Sequence, residues 1–336
     1  MTGCIFGHYY VTSRISVWGV KRTMTVSYFF NIILYLFLYY AKNLIPDFGA
    51  NFFLFIVAIL DMIGMSFYWT AHNVYFLGVT EGKHDGKKLG ILLAIPSLVG
   101  IAGPFLGSIL IDSFGFRGAF LVSTLFLIFA AYILSYTNDV KVDVKLDLKS
   151  VLDFKGFRKN VIFMIQGVSY LATGLIWPLL LFSLSVQLLS VGFLYLISGS
   201  GFAVVNYLGG KSSDGVGARK NSRIGALGHA FFLTLRALST TILAMTTFQT
   251  LDSFFHGLLQ ICLTAGFFKR SHQNVGNAIM NRELYMYLGR ILIIIVFLIA
   301  LLFFAVTEAL IFTLIVSAML ILGLNLIIKN DFSLVS

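Results

Sequence analysis

Four ionisable residues interrupt segments of this chain that are otherwise apolar: Asp61, Arg236, Asp252 and His256. A charge at the centre of a bilayer costs at least about 2.5 kcal/mol on insertion scales, so each such residue is a candidate for function. The Asp61 carboxylate could bind a proton or a cationic solute, or it could pair with a polar neighbour for packing. For Arg236, a structural pair or snorkelling to the interface is the simpler interpretation.

Polar residues also recur at helical spacing in three apolar segments, and each set lies on one face of its predicted helix. Such a face either lines a cavity or forms hydrogen bonds to a neighbouring helix, and both interpretations remain open. Trp177 follows one of these sets on the same face. The candidate residues for binding a solute or a proton are Asp61, Trp69, His72, Asn73, Gln166, Tyr170, His256 and Gln260.

The sequence shows no metal-ligand cluster, nucleophile elbow or phosphate-binding loop. Two cysteines, Cys4 and Cys262, cannot form a disulfide framework. We therefore expect no enzyme activity, no metal, no cofactor and no direct use of ATP.

The composition places these residues in a membrane protein. Of the 336 residues, 58% are hydrophobic and 11% are charged, whereas soluble domains have about 25% charged residues. The net charge of +10 does not indicate a nucleic-acid partner, because basic residues of membrane proteins collect in loops on one side. We expect the lipid bilayer to surround an all-α, multi-pass chain.

The apolar runs predict about ten transmembrane helices, since each run reaches the length of about 20 residues that a helix needs to cross a bilayer. Long continuous runs favour helices over barrel strands, which alternate over about ten residues. No cleavable signal peptide is evident. The predicted segments are 23–42, 50–78, 88–111, 117–136, 160–182, 187–208, 223–246, 252–269, 284–306 and 308–328.

Basic residues alternate along the chain and predict its orientation. All but three of the 24 lysines and arginines lie in every second loop; the exceptions are Lys42, Arg117 and Arg236. The positive-inside rule then places both termini and the loop 137–159 in the cytoplasm, with the plasma membrane as the expected location. This loop separates an N-terminal bundle of four helices, 1–136, from a C-terminal bundle of six, 160–330.

An internal repeat links the two halves at an offset of 198 residues. Gly19 aligns with Gly217, and the basic pair after Gly19 aligns with Arg219 and Lys220. Weak internal repeats of this size are typical of transporters built from two similar halves.

The second copy resembles the loop motif of the major facilitator superfamily, and the resemblance extends over essentially the whole chain. The matching residues of this gating loop are Gly210, Asp214, Gly217, Arg219 and Lys220. The resemblance implies that the loop stabilises the outward-open state; the alternative is a basic anchor with turn glycines. The first copy has Thr12 and Ser16 where the motif has glycine and aspartate.

The segment 88–111 is similar to the fifth-helix motif of the same family. Its matching residues are Gly103, Pro104 and Gly107, and we expect a helix bend there. The family's helix order would make the chain begin near the end of a second helix. The first two helices would then be missing, through either a truncated reading frame or a ten-helix variant.

The resemblance implies a two-bundle secondary transporter that moves a small organic solute by alternating access, and the family-level expectation is coupling to protons. The bundles would rock around a site at the middle of the membrane. We expect a monomer with a small-molecule partner. The alternative is a non-transporting receptor or trafficking partner on the same fold.

Overall fold

The computed structural model describes residues 2–79, 85–147, 151, 157–212, 217–271 and 274–330. Within these ranges the chain is helical and contains no strand. A π-helical turn, Ala172–Ile176, joins the sixth and seventh helices. The helices are α1 (Thr2–Trp18), α2 (Val20–Tyr39), α3 (Ala41–Phe48), α4 (Ala50–Val79), α5 (Asp85–Ser135), α6 (Phe157–Leu171), α7 (Trp177–Ser183), α8 (Leu188–Ser212), α9 (Gly217–Ala237), α10 (Ile242–Ser271), α11 (Val275–Ala300) and α12 (Val306–Asn330).

The predicted multi-pass helical architecture is confirmed. Among the described residues, seven helical segments are long and apolar enough to cross a membrane, and the pair α2 and α3, bent by 78°, would add an eighth. Two predicted segments are combined in α5, which breaks at Gly115 with φ 69° and ψ 177°. A positive φ of this kind suits glycine, which has no Cβ to clash with the backbone.

One predicted boundary is displaced. The segment 223–246 was expected to be continuous, but α9 ends at Ala237. Thr241 then caps α10, because its Oγ1 accepts a hydrogen bond from the Ala244 N–H at 3.3 Å. Arg236 therefore lies in the last turn of α9 rather than near the middle of a span.

The chain forms two compact units. Unit 1 comprises Met1–Glu81, Ile109–Asp153 and Ser271–Glu283, and unit 2 comprises Gly82–Ser108, Phe154–Arg270 and Leu284–Ser336. In unit 1, α4 packs against both α1 and α2. Buried hydrogen bonds cross these contacts, from Ser27 Oγ to the Gly64 carbonyl and between His8 and Thr70, both at 2.8 Å.

The segment after α5 is bonded to the junction of α1 and α2 in unit 1. At that junction Gly19 has φ 81°, and the Asp139 carboxylate lies against its α-carbon. Asp139 Oδ1 accepts a hydrogen bond from the Lys21 N–H at 2.9 Å, and Ser16 Oγ accepts one from the Val144 N–H at 2.9 Å. Asp139 thus supplies a carboxylate to the start of α2, where the helix dipole favours negative charge.

We expect Asp139→Ala to lower the free energy of unfolding by about 0.5–2 kcal/mol, the usual cost of losing an N-terminal cap. Asp143→Ala is the matched control, since Asp143 is an exposed aspartate of the same segment. Thermal unfolding of both variants in detergent checks this. Equal melting temperatures would show that the Asp139 bond contributes nothing.

Glycines permit close helix crossings in unit 2. A Cβ at Gly167 of α6 would overlap the Met286 carbonyl oxygen of α11, and a Cβ at Gly289 would overlap the Met164 carbonyl oxygen. On α9, a Cβ at Gly225 would lie 2.7 Å from the Leu259 backbone nitrogen of α10. Small residues at such crossings let backbones approach where lipid offers no hydrophobic driving force.

Gly289→Ala should destabilise the protein by about 1–3 kcal/mol, because the added methyl group must push α6 and α11 apart. The control is Gly323→Ala in α12, where an added Cβ meets nothing within 4 Å. That change should be neutral or stabilising by up to about 1 kcal/mol, since alanine is the better helix former. Melting temperatures in one detergent compare the two, and an equal response would contradict the close crossing.

Candidate functional site

The predicted residues of α4 lie in unit 1, at two separate positions along the helix. The Trp69 and His72 rings contact each other with centroids 5.5 Å apart, and Tyr68 stacks on His72 at 6.0 Å. Asn73 is the next residue along the chain and is buried. Asp61 has an exposed side chain. It lies about 16 Å from His72 toward the start of α4, given the helical rise of about 1.5 Å per residue.

The other four predicted residues come together in unit 2. Gln166 Nε2 of α6 donates to Gln260 Oε1 of α10 at 2.6 Å, and Gln260 Nε2 lies 3.0 Å from His256 Nε2. The Tyr170 ring meets the His256 ring edge-on, with centroids 6.1 Å apart. Gln166 and Gln260 are buried, whereas Tyr170 and His256 are half-buried. A polar, aromatic cluster therefore joins two apolar helices.

His229 of α9, which is not among the residues predicted from the sequence, extends this cluster. Its ring stacks on His256 with centroids 4.6 Å apart and an interplanar angle of 17°. His229 Nδ1 lies 2.6 Å from Asp252 Oδ1, and Nε2 lies 2.8 Å from Ser169 Oγ. The side chain of His229 is 0% exposed. Both ring nitrogens are therefore hydrogen-bonded in a site without solvent contact.

Arg236 completes the network from the last turn of α9. Its Nη1 lies 2.9 Å from Asp252 Oδ2 and also contacts Gln249 Oε1. The guanidinium carbon lies 4.8 Å from the centre of the Trp177 ring, a cation–π contact. Arg236 is fully buried, so it forms the structural pair that was one of the two expectations, and it does not snorkel.

The close approach of α9 to α10 brings His229 and Arg236 into contact with Asp252. The face of α9 that meets α10 carries Ser222, Gly225, Ala226 and His229, of which the first three are small. The π-turn after α6 lies between Ser169, which contacts His229, and Trp177, which contacts Arg236. π-turns are frequent at functional sites. A small-residue face that ends in a lone histidine is the sequence signal that could have identified His229.

The motif residues lie elsewhere. Gly210 is in α8, Gly217 begins α9, and Asp214 lies outside the described residues. Arg219 and Lys220 follow in the first turn of α9, half-buried and exposed respectively. The helical backbone of α5 continues through the residues of the expected bend, Gly103, Pro104 and Gly107, and departs from helical angles at Gly115.

No group of three or more metal-ligating side chains occurs among the residues that the structure describes.

Comparisons with known proteins concern the family and the fold of the chain. The sequence model described as Major Facilitator Superfamily matches residues 2–292. The fold is similar to the E. coli fucose:proton symporter FucP, with a TM-score of 0.62, 11% identity, and coverage of 98% of this chain and 90% of that chain. It is also similar to the human organic anion transporter MFSD10, with a TM-score of 0.60, 12% identity, and coverage of 97% and 80%. No curated protein sequence matches the chain.

Asp252→Asn should destabilise the protein by about 3–5 kcal/mol, because it leaves the Arg236 guanidinium buried without its counter-charge. The double variant Asp252→Asn/Arg236→Gln should be more stable than the single one, since both charges are then removed. Thermal unfolding of the parent, both single variants and the double variant forms a complete cycle. Additive losses would show that the two side chains are not coupled.

Proposed function

Because the chain belongs to the major facilitator superfamily and is a multi-pass membrane protein of the secondary-transporter class, we propose that it moves a small organic solute by alternating access, coupled to protons. The fold neighbours include a fucose:proton symporter and an organic anion transporter. Fucose:proton symport and organic anion transport are activities of those proteins, and for this chain they support a solute of similar size moved with protons.

The observation that carries this proposal is the cluster of Gln166, Tyr170, His256 and Gln260. Amide and imidazole groups hydrogen-bond to hydroxyl and carbonyl oxygens, and an aromatic ring covers apolar ring faces. Ligand sites in helical bundles combine a few polar groups of this kind with an apolar lining. Tyr170 and His256 are half-buried, and the proposal places the solute against the exposed part of these two side chains.

Other features of the mechanism belong to the same proposal. The bundles 1–136 and 160–330 rock as two bodies joined by the linker 137–159. The gating loop from Gly210 to Lys220 stabilises the outward-open state. Asp61, Trp69, His72 and Asn73 are a second candidate group for solute or proton binding. The protein acts as a monomer in the plasma membrane, with both termini in the cytoplasm and no catalytic activity.

Transport can be tested with purified protein in liposomes that contain a pH-sensitive dye. We expect saturable uptake of at least one labelled solute from a panel of monosaccharides and carboxylates, accompanied by a pH change inside the vesicle. Protein-free liposomes are the background. Saturable binding of a panel solute without uptake would favour a receptor instead.

Gln260→Leu should weaken solute uptake about tenfold, since a lost hydrogen bond of about 1.4 kcal/mol corresponds to that factor. Gln187→Leu is the matched control, because Gln187 is an exposed glutamine in the loop between α7 and α8. The concentration dependence of uptake measures both variants. An unchanged half-saturation concentration in Gln260→Leu would place the solute elsewhere.

A further inference from the structure

His229 combines three features that suit reversible proton binding. It is fully buried, one ring nitrogen faces a carboxylate, and the other faces a hydroxyl group. An imidazole with a nearby carboxylate is stabilised when it carries a proton. A hydroxyl group can donate to a neutral ring nitrogen or accept from a protonated one. The two partners therefore satisfy both protonation states of His229.

We propose that His229 is the proton-binding residue of unit 2, with Asp252 and Ser169 as positioning residues. This inference rests on the proposed function, because it assigns a residue to the proton that the transporter moves. In the neutral state, Nδ1–H donates to Asp252 and Nε2 accepts from the Ser169 hydroxyl. When the site opens to water, a hydronium ion transfers a proton to the Nε2 lone pair and leaves as water, and the Ser169 hydroxyl turns to accept from the new N–H. Release reverses the same step.

Arg236 makes His229 available for this role. The Asp252 carboxylate uses its Oδ2 for Arg236 and its Oδ1 for His229. Arg236 therefore already balances the charge of Asp252, and the network is neutral while His229 is neutral. Proton uptake changes the net charge of the network from zero to +1. A buried group that changes charge in this way gives two conformations different energies, which coupled transport requires.

The groups around His229 allow the stacked pair of His229 and His256 to hold only one positive charge. On α10, Asp252 is in contact, and His256 stacks on the ring at 4.6 Å. On α6, Tyr170 faces His256, and on α8, Tyr195 interacts with Arg236. Two protonated imidazoles at this separation would repel each other, so the stacked pair holds one positive charge at a time. His256 is half-buried, whereas His229 is fully buried.

The first experiment observes the proton directly. Protein labelled with ¹⁵N-histidine is placed in lipid bilayers, and its histidine resonances are followed by solid-state NMR from about pH 5 to 8, the range in which histidine changes charge. His229→Gln identifies the His229 signal by its loss. We expect that signal to move between the neutral and protonated positions, and to titrate at a different pH in Asp252→Asn. A signal that stays in one state over this range would overturn the proposal.

The second experiment separates coupling from transport. The probe is the panel monosaccharide or carboxylate that the parent protein accumulates. His229→Gln should retain exchange of that solute across the membrane but lose at least tenfold of the accumulation driven by a pH gradient. His8→Gln is the matched control for the loss of a buried histidine: His8 hydrogen-bonds to the Thr70 hydroxyl in unit 1, and the carboxylate nearest its other nitrogen, Glu283, lies 3.9 Å away, beyond hydrogen-bond distance.

The outcomes distinguish the two proposals. Unchanged accumulation in His229→Gln, with exchange intact, would overturn the role of His229 and leave the transporter function standing. Absence of both exchange and accumulation in the parent would contradict the proposed function. Equal loss of accumulation in His8→Gln and His229→Gln would show a general packing defect and would overturn the specific role of His229.

Discussion

The interior of unit 2 depends on one buried carboxylate. Asp252 accepts from His229 through one oxygen and from Arg236 through the other. An isolated charge in an apolar interior is expensive, so each of these side chains requires the others. The crossing of α9 and α10 at Gly225 brings them within hydrogen-bond distance. The polar network and the helix packing are therefore two consequences of the same constraint.

The sequence predicted a large part of this arrangement. Helical periodicity placed Gln166 with Tyr170 and His256 with Gln260, and the structure joins the two pairs through one hydrogen bond. Such prediction works within one helix because the spacing of residues fixes their face. It fails between helices, where the partner depends on which faces pack. His229 was missed for this reason, since its partners Ser169 and Asp252 lie 60 and 23 residues away.

The first copy of the loop motif shows a second limit. Ser16 occupies the position where the motif has aspartate. In the structure Ser16 bonds to Val144, and the carboxylate of Asp139, which lies 118 residues after Lys21, reaches the start of α2. A motif records the residue at one position, whereas a helix end requires only an acceptor at the right place. That acceptor can come from any segment that the fold brings there.

The π-turn Ala172–Ile176 separates Gln166 and Tyr170 from Trp177, which the sequence places on the same helical face. A π-turn contains one more residue than an α-helical turn, which rotates Trp177 by about 100° relative to Gln166 and directs it to Arg236. Pro178 follows directly and cannot donate a backbone hydrogen bond. In evolutionary terms, the extra codon and the proline form one linked character. We therefore expect related sequences that lack Pro178 to lack the extra residue of the π-turn, and sequences that have the proline to have the extra residue too.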